Sequence, residues 1–147
     1  MMNRFETFTV LIMKINRSIH KIKTEEMAEF DLKSPHVSCL YYLSQAESMT
    51  AKELCDVCGE DKAAVSRSID YLESNGYVYC GADTKKRYKA ELTLTEKGKA
   101  VASRIGEKIA AVLAKSSVGL DVETRNAMYE GLVAIERNLD EICKNYK

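Results

Sequence analysis

Apolar residues recur in steps of three and four near both ends of the chain. The first run comprises Phe5, Phe8, Ile12, Ile15, Ile19 and Ile22, and the last comprises Met128, Leu132, Ile135, Leu139, Ile142 and Tyr146. These steps bring side chains to one face of an α-helix, so both ends are predicted to be long amphipathic helices. A third run, from Val101 to Leu113, predicts a helix capped by Thr95, and Asp121 would cap the last helix.

Two apolar stripes at opposite ends exceed what a core of this size needs to bury. Helices of this kind bury their faces against each other and often against a second copy of the chain. The spacing favours a dimer interface made from the two ends over the alternative, a helical bundle within one chain. The residues expected there are Phe5, Phe8, Ile12, Ile15, Leu132, Ile135, Leu139 and Ile142.

The middle of the chain contains shorter elements with dense boundary signals. Ser34 as N-cap and Pro35 at the first helical position predict a helix that runs to about Gln45. Residues 50–53, Thr-Ala-Lys-Glu, form a capping box in which the first and last side chains satisfy each other's backbone amides. The box opens a short helix, which Gly59 would end.

A longer helix and two strands follow this short helix. The helix is expected over residues 61–74, with Asp61 as cap and Asn75-Gly76 as its left-handed end. Residues 77–80 and 88–94 alternate between apolar and polar, which predicts two strands joined by a basic tip. The order helix, helix, tight turn, helix, hairpin is that of a winged helix-turn-helix.

We therefore predict a mainly α fold with a small β-hairpin wing, in which terminal dimerisation helices flank a winged helix-turn-helix. The expected parts are an N-terminal dimerisation helix over residues 1–32, a DNA-binding lobe over 33–98 and C-terminal dimerisation helices over 99–147, all in one compact unit.

The second helix of a helix-turn-helix places its N-terminal part in the DNA major groove. Here Val65, Ile69 and Leu72 would face inward. The outward positions, which are the candidate DNA contacts, are Lys62, Ala63, Ser66, Arg67 and Asp70. Arg67 can pair with guanine or phosphate, and Ser66 can donate to either. The alternative is a helix face that is merely solvated.

The predicted hairpin tip is strongly basic. Its candidate DNA contacts are Lys85, Lys86, Arg87 and Lys89, with Tyr88 inserted among them. A basic hairpin beside a recognition helix would straddle a phosphate strand and insert Arg87 into the minor groove. The alternative is an ordinary charged turn. The presence of a basic hairpin directly after a candidate recognition helix favours DNA binding. Thr50 and Lys52, on the supporting helix, are further candidates.

The overall charge argues the other way. The 147 residues include 22 lysines and arginines and 22 aspartates and glutamates, so the net charge is zero, whereas phosphate contacts need a basic surface. The balance is uneven along the chain, because residues 62–99 hold eight cations against five anions and residues 1–23 hold five against one. A winged-helix protein-interaction module without DNA binding is the alternative, favoured by the zero charge and by the acidic turn Glu60-Asp61.

Other classes of protein are not expected. No apolar run approaches the roughly 18 residues of a membrane span, and the early acid Glu6 argues against a secretory signal. Five dispersed cysteines predict reduced thiols in the cytoplasm. Cys55-x-x-Cys58 lacks the second ligand pair of a zinc ribbon, so packing is favoured and no metal is expected. Without a glycine-rich phosphate loop, an HExxH motif or a nucleophile elbow, neither an enzyme nor a cofactor is predicted.

Three segments resemble the MarR family of bacterial transcription regulators. They are residues 61–67, residues 71–78 and the series Leu94-Thr95-Glu96-Lys97-Gly98, and the flanking helices fit the same layout. The resemblance covers nearly the whole chain. It implies an obligate dimer built from the terminal helices, which binds palindromic operators in double-stranded DNA and is often released by a small ligand or an oxidant.

The resemblance also bears on individual residues. His36, Tyr41 and Tyr42 correspond to positions near the family's ligand pocket, with core or interface packing as the alternative. Peroxide-sensing members use a cysteine on the first helix, which this chain lacks; Cys39, Cys80 and Cys143 are the other thiols.

The wing departs from the family pattern, which usually has an Asp-x-Arg turn. Asp83 stands four residues before Arg87, which leaves open whether Arg87, Lys86 or Lys85 enters the minor groove. The sequence as a whole predicts a sequence-specific regulator, a ligand-responsive repressor that acts as a homodimer.

Overall fold

Six helices carry most of the residues that the structure, a computed structural model, describes: 3–81 and 89–146, apart from the side chains of Phe5 and Glu6. The helices are α1 (Arg4–Glu26), α2 (Ser34–Ser44), α3 (Ala51–Cys58), α4 (Lys62–Ser74), α5 (Glu96–Ser116) and α6 (Val122–Lys144). The strands are β1 (Met49–Thr50), β2 (Val78–Cys80) and β3 (Glu91–Leu94), and a short 3-10 helix spans Ala28–Phe30. The predicted mainly α class with a small wing is confirmed.

The predicted capping residues set the boundaries of α3 and α4. The Thr50 hydroxyl accepts the Glu53 backbone N–H at 3.1 Å, and the Glu53 carboxylate accepts the Thr50 N–H at 2.8 Å. Gly59, at a φ of 67°, ends α3 in the left-handed conformation. The Asp61 carboxylate then accepts the Ala64 N–H at 2.7 Å and starts α4. The tight turn between the two helices is thus specified by neighbouring residues.

Three further boundaries follow the sequence prediction. Gly76, at a φ of 77°, follows the end of α4. The Thr95 hydroxyl accepts the Gly98 N–H at 3.0 Å at the start of α5, and the Asp121 carboxylate accepts the Thr124 N–H at 2.7 Å at the start of α6. At the starts of α5 and α6 an orphan amide of the first helical turn finds a side-chain acceptor.

The predicted start of α2 is wrong by one residue. The N-cap is Lys33 rather than Ser34, so Ser34 is the first helical residue and Pro35 the second. The imidazole Nδ1 of His36 accepts the backbone N–H of Lys33 at 3.0 Å and stabilises this earlier start. Proline is tolerated there because amides of the first turn have no partner within the helix.

The strands form an antiparallel sheet in the order β1-β3-β2. Val78 pairs with Leu94 in the predicted hairpin, and Met49 pairs with Leu92 on the other side of β3. The strand β1 was not predicted, because two residues are too few for an alternating pattern and Thr50 also caps α3.

The inner face of α4 packs into a core shared with α2, α3 and the sheet. Val65, Ile69 and Leu72 are buried, as predicted, together with Leu54 of α3 and Leu92 of β3. Full burial of such side chains is worth about 1.5–3 kcal/mol each. This packing fixes the rotation of α4 about its axis and thereby selects the residues on its outer face.

The chain divides into two compact units, Met1–Lys108 and Ile109–Lys147. The first contains the helix-turn-helix and the sheet, with α1 at its N-terminal end. The second contains the last turns of α5 and the whole of α6. The predicted three-part organisation stays a prediction.

Candidate nucleic-acid interface

The outer face of α4 carries the residues that the apolar spacing predicts to point outward. Lys62, Ala63, Ser66, Arg67 and Asp70 are all exposed. They alternate with buried Val65, Ser68, Ile69 and Leu72, so one face of α4 is held in the core while the other is open to solvent. A polar helix face on a rigid support is what docking into a DNA groove requires.

A cleft of about 580 Å³ separates the outer faces of α3 and α4. Its rim brings Lys52 of α3 together with Lys62 and Ser66 of α4. Asp56 and Cys55 also line it, and neither was predicted at this face. The signal for Asp56 was its position four residues after Lys52, which places both on one side of a helix.

Two polar groups near this cleft already have structural partners. The Asp61 carboxylate caps the first turn of α4, where its negative charge interacts favourably with the positive end of the helix dipole. The Thr50 oxygen accepts from Glu53, which leaves its hydroxyl proton able to donate. Thr50 is half-buried and Lys52 is exposed.

An aromatic contact holds α4 against the start of α2. The Tyr71 ring stacks on the His36 imidazole with centroids 4.2 Å apart and planes 6° from parallel. The Tyr71 hydroxyl donates to the backbone oxygen of Asp31 at 2.8 Å. Burial, assisted by the charge of Lys33, lowers the pKa of His36. The imidazole is only 9% exposed and thus helps to position the recognition helix.

The Leu-Thr-x-x-Gly series joins the end of β3 to the end of α4. The Thr95 hydroxyl donates to the backbone oxygen of Gly76 at 2.6 Å. Lys97 donates to the backbone oxygen of Asn75 at 2.8 Å, and its ammonium lies 4.3 Å from the centroid of the Tyr77 ring. The base of the wing is therefore fixed to the recognition helix.

The predicted wing contacts fall mostly beyond this base. Lys85, Lys86 and Arg87 lie outside the described residues. Lys89 is exposed just before β3 begins.

The predicted ligand residues lie toward both ends of α2. Tyr41 and Tyr42 are half-buried, with rings packed edge to face at 5.4 Å, while His36 lies at the other end of α2. A cleft of about 770 Å³ lies between the end of α2, β3 and α5. Its lining comprises Leu43, Ser44, Gln45, Ala46, Glu47, Thr93, Leu94, Lys99, Ala102, Ser103 and Gly106, without the three predicted residues.

The predicted dimerisation residues are largely exposed in the single chain. On α1, Ile12 and Ile15 are 41% and 54% exposed, and Phe8 is half-buried. The side chain of Phe5 lies outside the described part of the chain. On α6, exposure runs from 38% to 50% over Leu132, Ile135, Leu139 and Ile142.

Within the described ranges, no group of three or more histidine, cysteine, aspartate or glutamate residues is placed to hold a metal ion. The helices found there are also too short or too polar to cross a membrane.

A short supporting helix, a second helix with an exposed polar face and a sheet at its end define a protein of the winged helix-turn-helix class. The sequence model of the MarR family matches residues 30–87, which begin at the end of the 3-10 helix and extend beyond β2 in sequence. The resemblance deduced from the sequence is thereby confirmed over these residues, which are similar to the MarR family of transcription regulators.

Individual relatives and solved structures show the same similarity. The chain is 26% identical over 135 residues to the HTH-type transcriptional regulator YfiV of Bacillus subtilis, an alignment covering 92% of this chain and 84% of the relative. A MarR family regulator from Neisseria meningitidis has the same fold, with a TM-score of 0.83, 23% identity and coverage of 99% and 100% of the two chains. A MarR family regulator from Listeria monocytogenes, solved in complex with a 26mer DNA, superposes with a TM-score of 0.81 at 22% identity, covering 100% of this chain and 98% of that one.

Proposed function

We propose that the chain is a homodimeric repressor that binds a palindromic operator in double-stranded DNA through α4 and the wing. The observation that carries this proposal is the exposed row on α4, which faces Lys52 across the α3–α4 cleft while its opposite side is locked into the core. The DNA complex of the similar Listeria monocytogenes protein supports the same use of the fold.

Each residue of the interface has a proposed role. Arg67 reads a guanine or contacts a phosphate, and Ser66 and Lys62 donate to phosphate or base edges. Ala63 allows close approach of the helix backbone, and Asp70 lies at the far end of the row. Thr50 and Lys52 contact the DNA backbone beside the groove. On the wing, the proposed contacts are Lys85, Lys86, Arg87 and Lys89.

Two copies are needed for an operator with two half-sites. Their apolar stripes on α1 and α6, exposed in one chain, would be buried between copies. An effector bound near His36, Tyr41 or Tyr42 that prefers one spacing of the two recognition helices would shift the population away from the DNA-binding spacing. In this proposal the protein acts in the cytoplasm, where its five cysteines stay reduced, and performs no catalysis.

A gel-shift titration against the DNA upstream of the protein's own gene tests the proposal. We expect a shift that weakens as salt rises, because binding releases counterions from the phosphates. No shift, or a shift indifferent to salt, would favour the alternative of a protein-interaction module.

Arg67→Ala tests the assignment of the recognition helix. It should cost about 1–3 kcal/mol of operator affinity, or roughly 5- to 150-fold, while the fold stays intact by circular dichroism. Arg137→Ala is the matched control, because Arg137 is an exposed arginine on α6, on the face opposite its apolar stripe. Equal affinity of the two variants would show that α4 does not read the operator through Arg67.

A further inference from the structure

A histidine at the start of α2 is in direct contact with the recognition helix α4. The His36 imidazole stacks on the Tyr71 ring with centroids 4.2 Å apart and planes 6° from parallel, and only 9% of His36 is exposed. Tyr71 follows Arg67 of the proposed DNA-binding row by about one helical turn. The position of the imidazole therefore bears on the position of the row.

The turn before α2 holds both rings of this stack. The Nδ1 atom of His36 accepts the backbone N–H of Lys33 at 3.0 Å, and the Tyr71 hydroxyl donates to the backbone oxygen of Asp31 at 2.8 Å. Asp31 has a φ of 56°, in the left-handed region that residues other than glycine rarely occupy. A turn in this conformation depends on its contacts to keep its shape.

These contacts require a neutral imidazole. The Nδ1 atom that accepts the Lys33 N–H carries no proton, and protonation would set two donors against each other. The charged groups that face the ring are Lys33 and Asp31, both on the turn, and the Tyr71 phenol faces it from α4. Burial and the charge of Lys33 lower the pKa of His36 and outweigh the opposing attraction of Asp31.

We propose that His36 is an acid-sensitive positioning residue for the recognition helix, whose protonation separates the imidazole from Lys33 and Tyr71 and weakens operator binding. The stacked state resists the proton, whereas a state with the imidazole in solvent accepts it readily. Acid therefore shifts the population toward the separated state, in which α4 has lost its contact with the start of α2. The effect on DNA rests on the proposed function, whereas the separation of the two rings does not.

The expected direction is opposite to the general effect of acid on DNA binding. Acid adds positive charge to a protein, and positive charge strengthens the attraction to phosphates. Weaker operator binding in acid would therefore report the conformational change rather than the change in net charge.

Hydrogen–deuterium exchange of the full chain tests the separation in the absence of DNA. After correction for the intrinsic pH dependence of exchange, the amides of α4 should exchange about fivefold or more faster at about pH 5 than at about pH 8. His36→Gln should lose this change, because its neutral side-chain oxygen can accept the Lys33 N–H at any pH. His20→Gln, which alters the other of the chain's two histidines, exposed on α1, should keep it. Equal profiles of the wild-type chain and His36→Gln would overturn the proposal.

Two charge variants distinguish titration of His36 from a merely structural role. Lys33→Gln removes the repelling charge, so its transition in the exchange profile should move to higher pH. Asp31→Asn removes the attracting charge and should move the transition to lower pH, and asparagine tolerates the left-handed conformation. Transitions that stay in place, or that move in the same direction in both variants, would contradict protonation of His36 as the cause.

A gel-shift titration over the same pH range tests the regulatory consequence. The wild-type chain should bind the operator about fivefold or more weakly at about pH 5 than at about pH 8, within the range of typical allosteric couplings, and His36→Gln should show no such loss. Constant or rising affinity of the wild-type chain in acid would overturn the regulatory consequence. Failure to shift DNA at neutral pH would instead overturn the proposed function and leave the exchange result standing.

Discussion

Gly98 lies where the first turn of α5 passes directly against the backbone of Tyr77. A Cβ at this position would collide with the Tyr77 carbonyl oxygen and would lie 3.3 Å from Cδ2 of Leu94. The same carbonyl oxygen accepts the backbone N–H of Thr95, so it cannot easily move away. The glycine of the Leu-Thr-x-x-Gly series is therefore required for packing the base of the wing.

Gly98→Ala should lower the free energy of unfolding by about 1–3 kcal/mol, the usual cost of overpacking, as measured by urea denaturation. Gly106→Ala in the same helix is the control, because a Cβ at Gly106 meets nothing within 4 Å. It should raise stability by about 0.5–1 kcal/mol through helix propensity. If both alanines have the same effect, the close approach at Gly98 does not determine stability.

His36 links stability to pH. Burial holds its pKa in the folded chain below the ordinary value of 6.5, so above that pH it is neutral in both states. As pH falls through about 6.5, the unfolded chain takes up a proton that the folded chain resists, and stability is lost. A protonated Nδ1 could not accept the Lys33 N–H.

Equilibrium unfolding in urea between pH 8 and pH 5 measures this effect. His36→Asn, which does not titrate, should show a shallower loss of stability below about pH 6.5 than the wild-type chain. Tyr71→Phe is the control, because it keeps the ring beside the imidazole and removes only the hydrogen bond to Asp31. A slope unchanged in His36→Asn would contradict the assignment.

At the scale of helices and strands, the features that sequence could predict are those set by near neighbours. The capping box of Thr50 and Glu53 and the cap of Asp61 each join residues three positions apart. The outer face of α4 follows equally from periodicity. The short strand β1 owes its existence to pairing with β3, some forty residues further along, which no local pattern encodes.

The same limit applies to the candidate site. The stacking of His36 on Tyr71 depends on how α2 and α4 pack. The ligand residues stay a prediction for the same reason.

Asp61 allows the capping and electrostatic effects of one element to be separated. Asp61→Ala removes the acceptor for the Ala64 N–H and should cost about 0.5–2 kcal/mol of stability. Asp61→Asn keeps an acceptor and removes the charge, so its stability should stay close to that of the wild-type chain.

The operator affinity of Asp61→Asn should rise, most clearly at low salt, because a negative charge is removed from the end of α4 that is proposed to face DNA. Thermal unfolding and gel shifts measure the two effects, and lower affinity of Asp61→Asn would place this turn away from the phosphates.

For the whole molecule, the exposed apolar stripes and the zero net charge together predict that DNA affinity depends on dimerisation. Soluble monomers rarely leave contiguous apolar rows exposed, and α6 exposes Leu132, Ile135 and Leu139 on one face. A chain without net charge has little long-range electrostatic attraction to the DNA phosphates, so its affinity for DNA must come from specific contacts. The proposed dimer would provide twice as many of these contacts on one DNA molecule.

Ile135→Glu tests this coupling of assembly to DNA binding. A buried, unpaired carboxylate in the interface should convert the dimer to a monomer in sedimentation velocity, whereas Arg137→Glu, on the opposite face of α6, should leave the dimer intact. The wild-type dimer should bind a full operator about 10²- to 10⁴-fold tighter than a single half-site, because the second contact is made within one complex. The Ile135→Glu monomer should bind both DNAs equally weakly. A monomer that retained the preference for the full operator would show that the two half-sites are not bridged through α6.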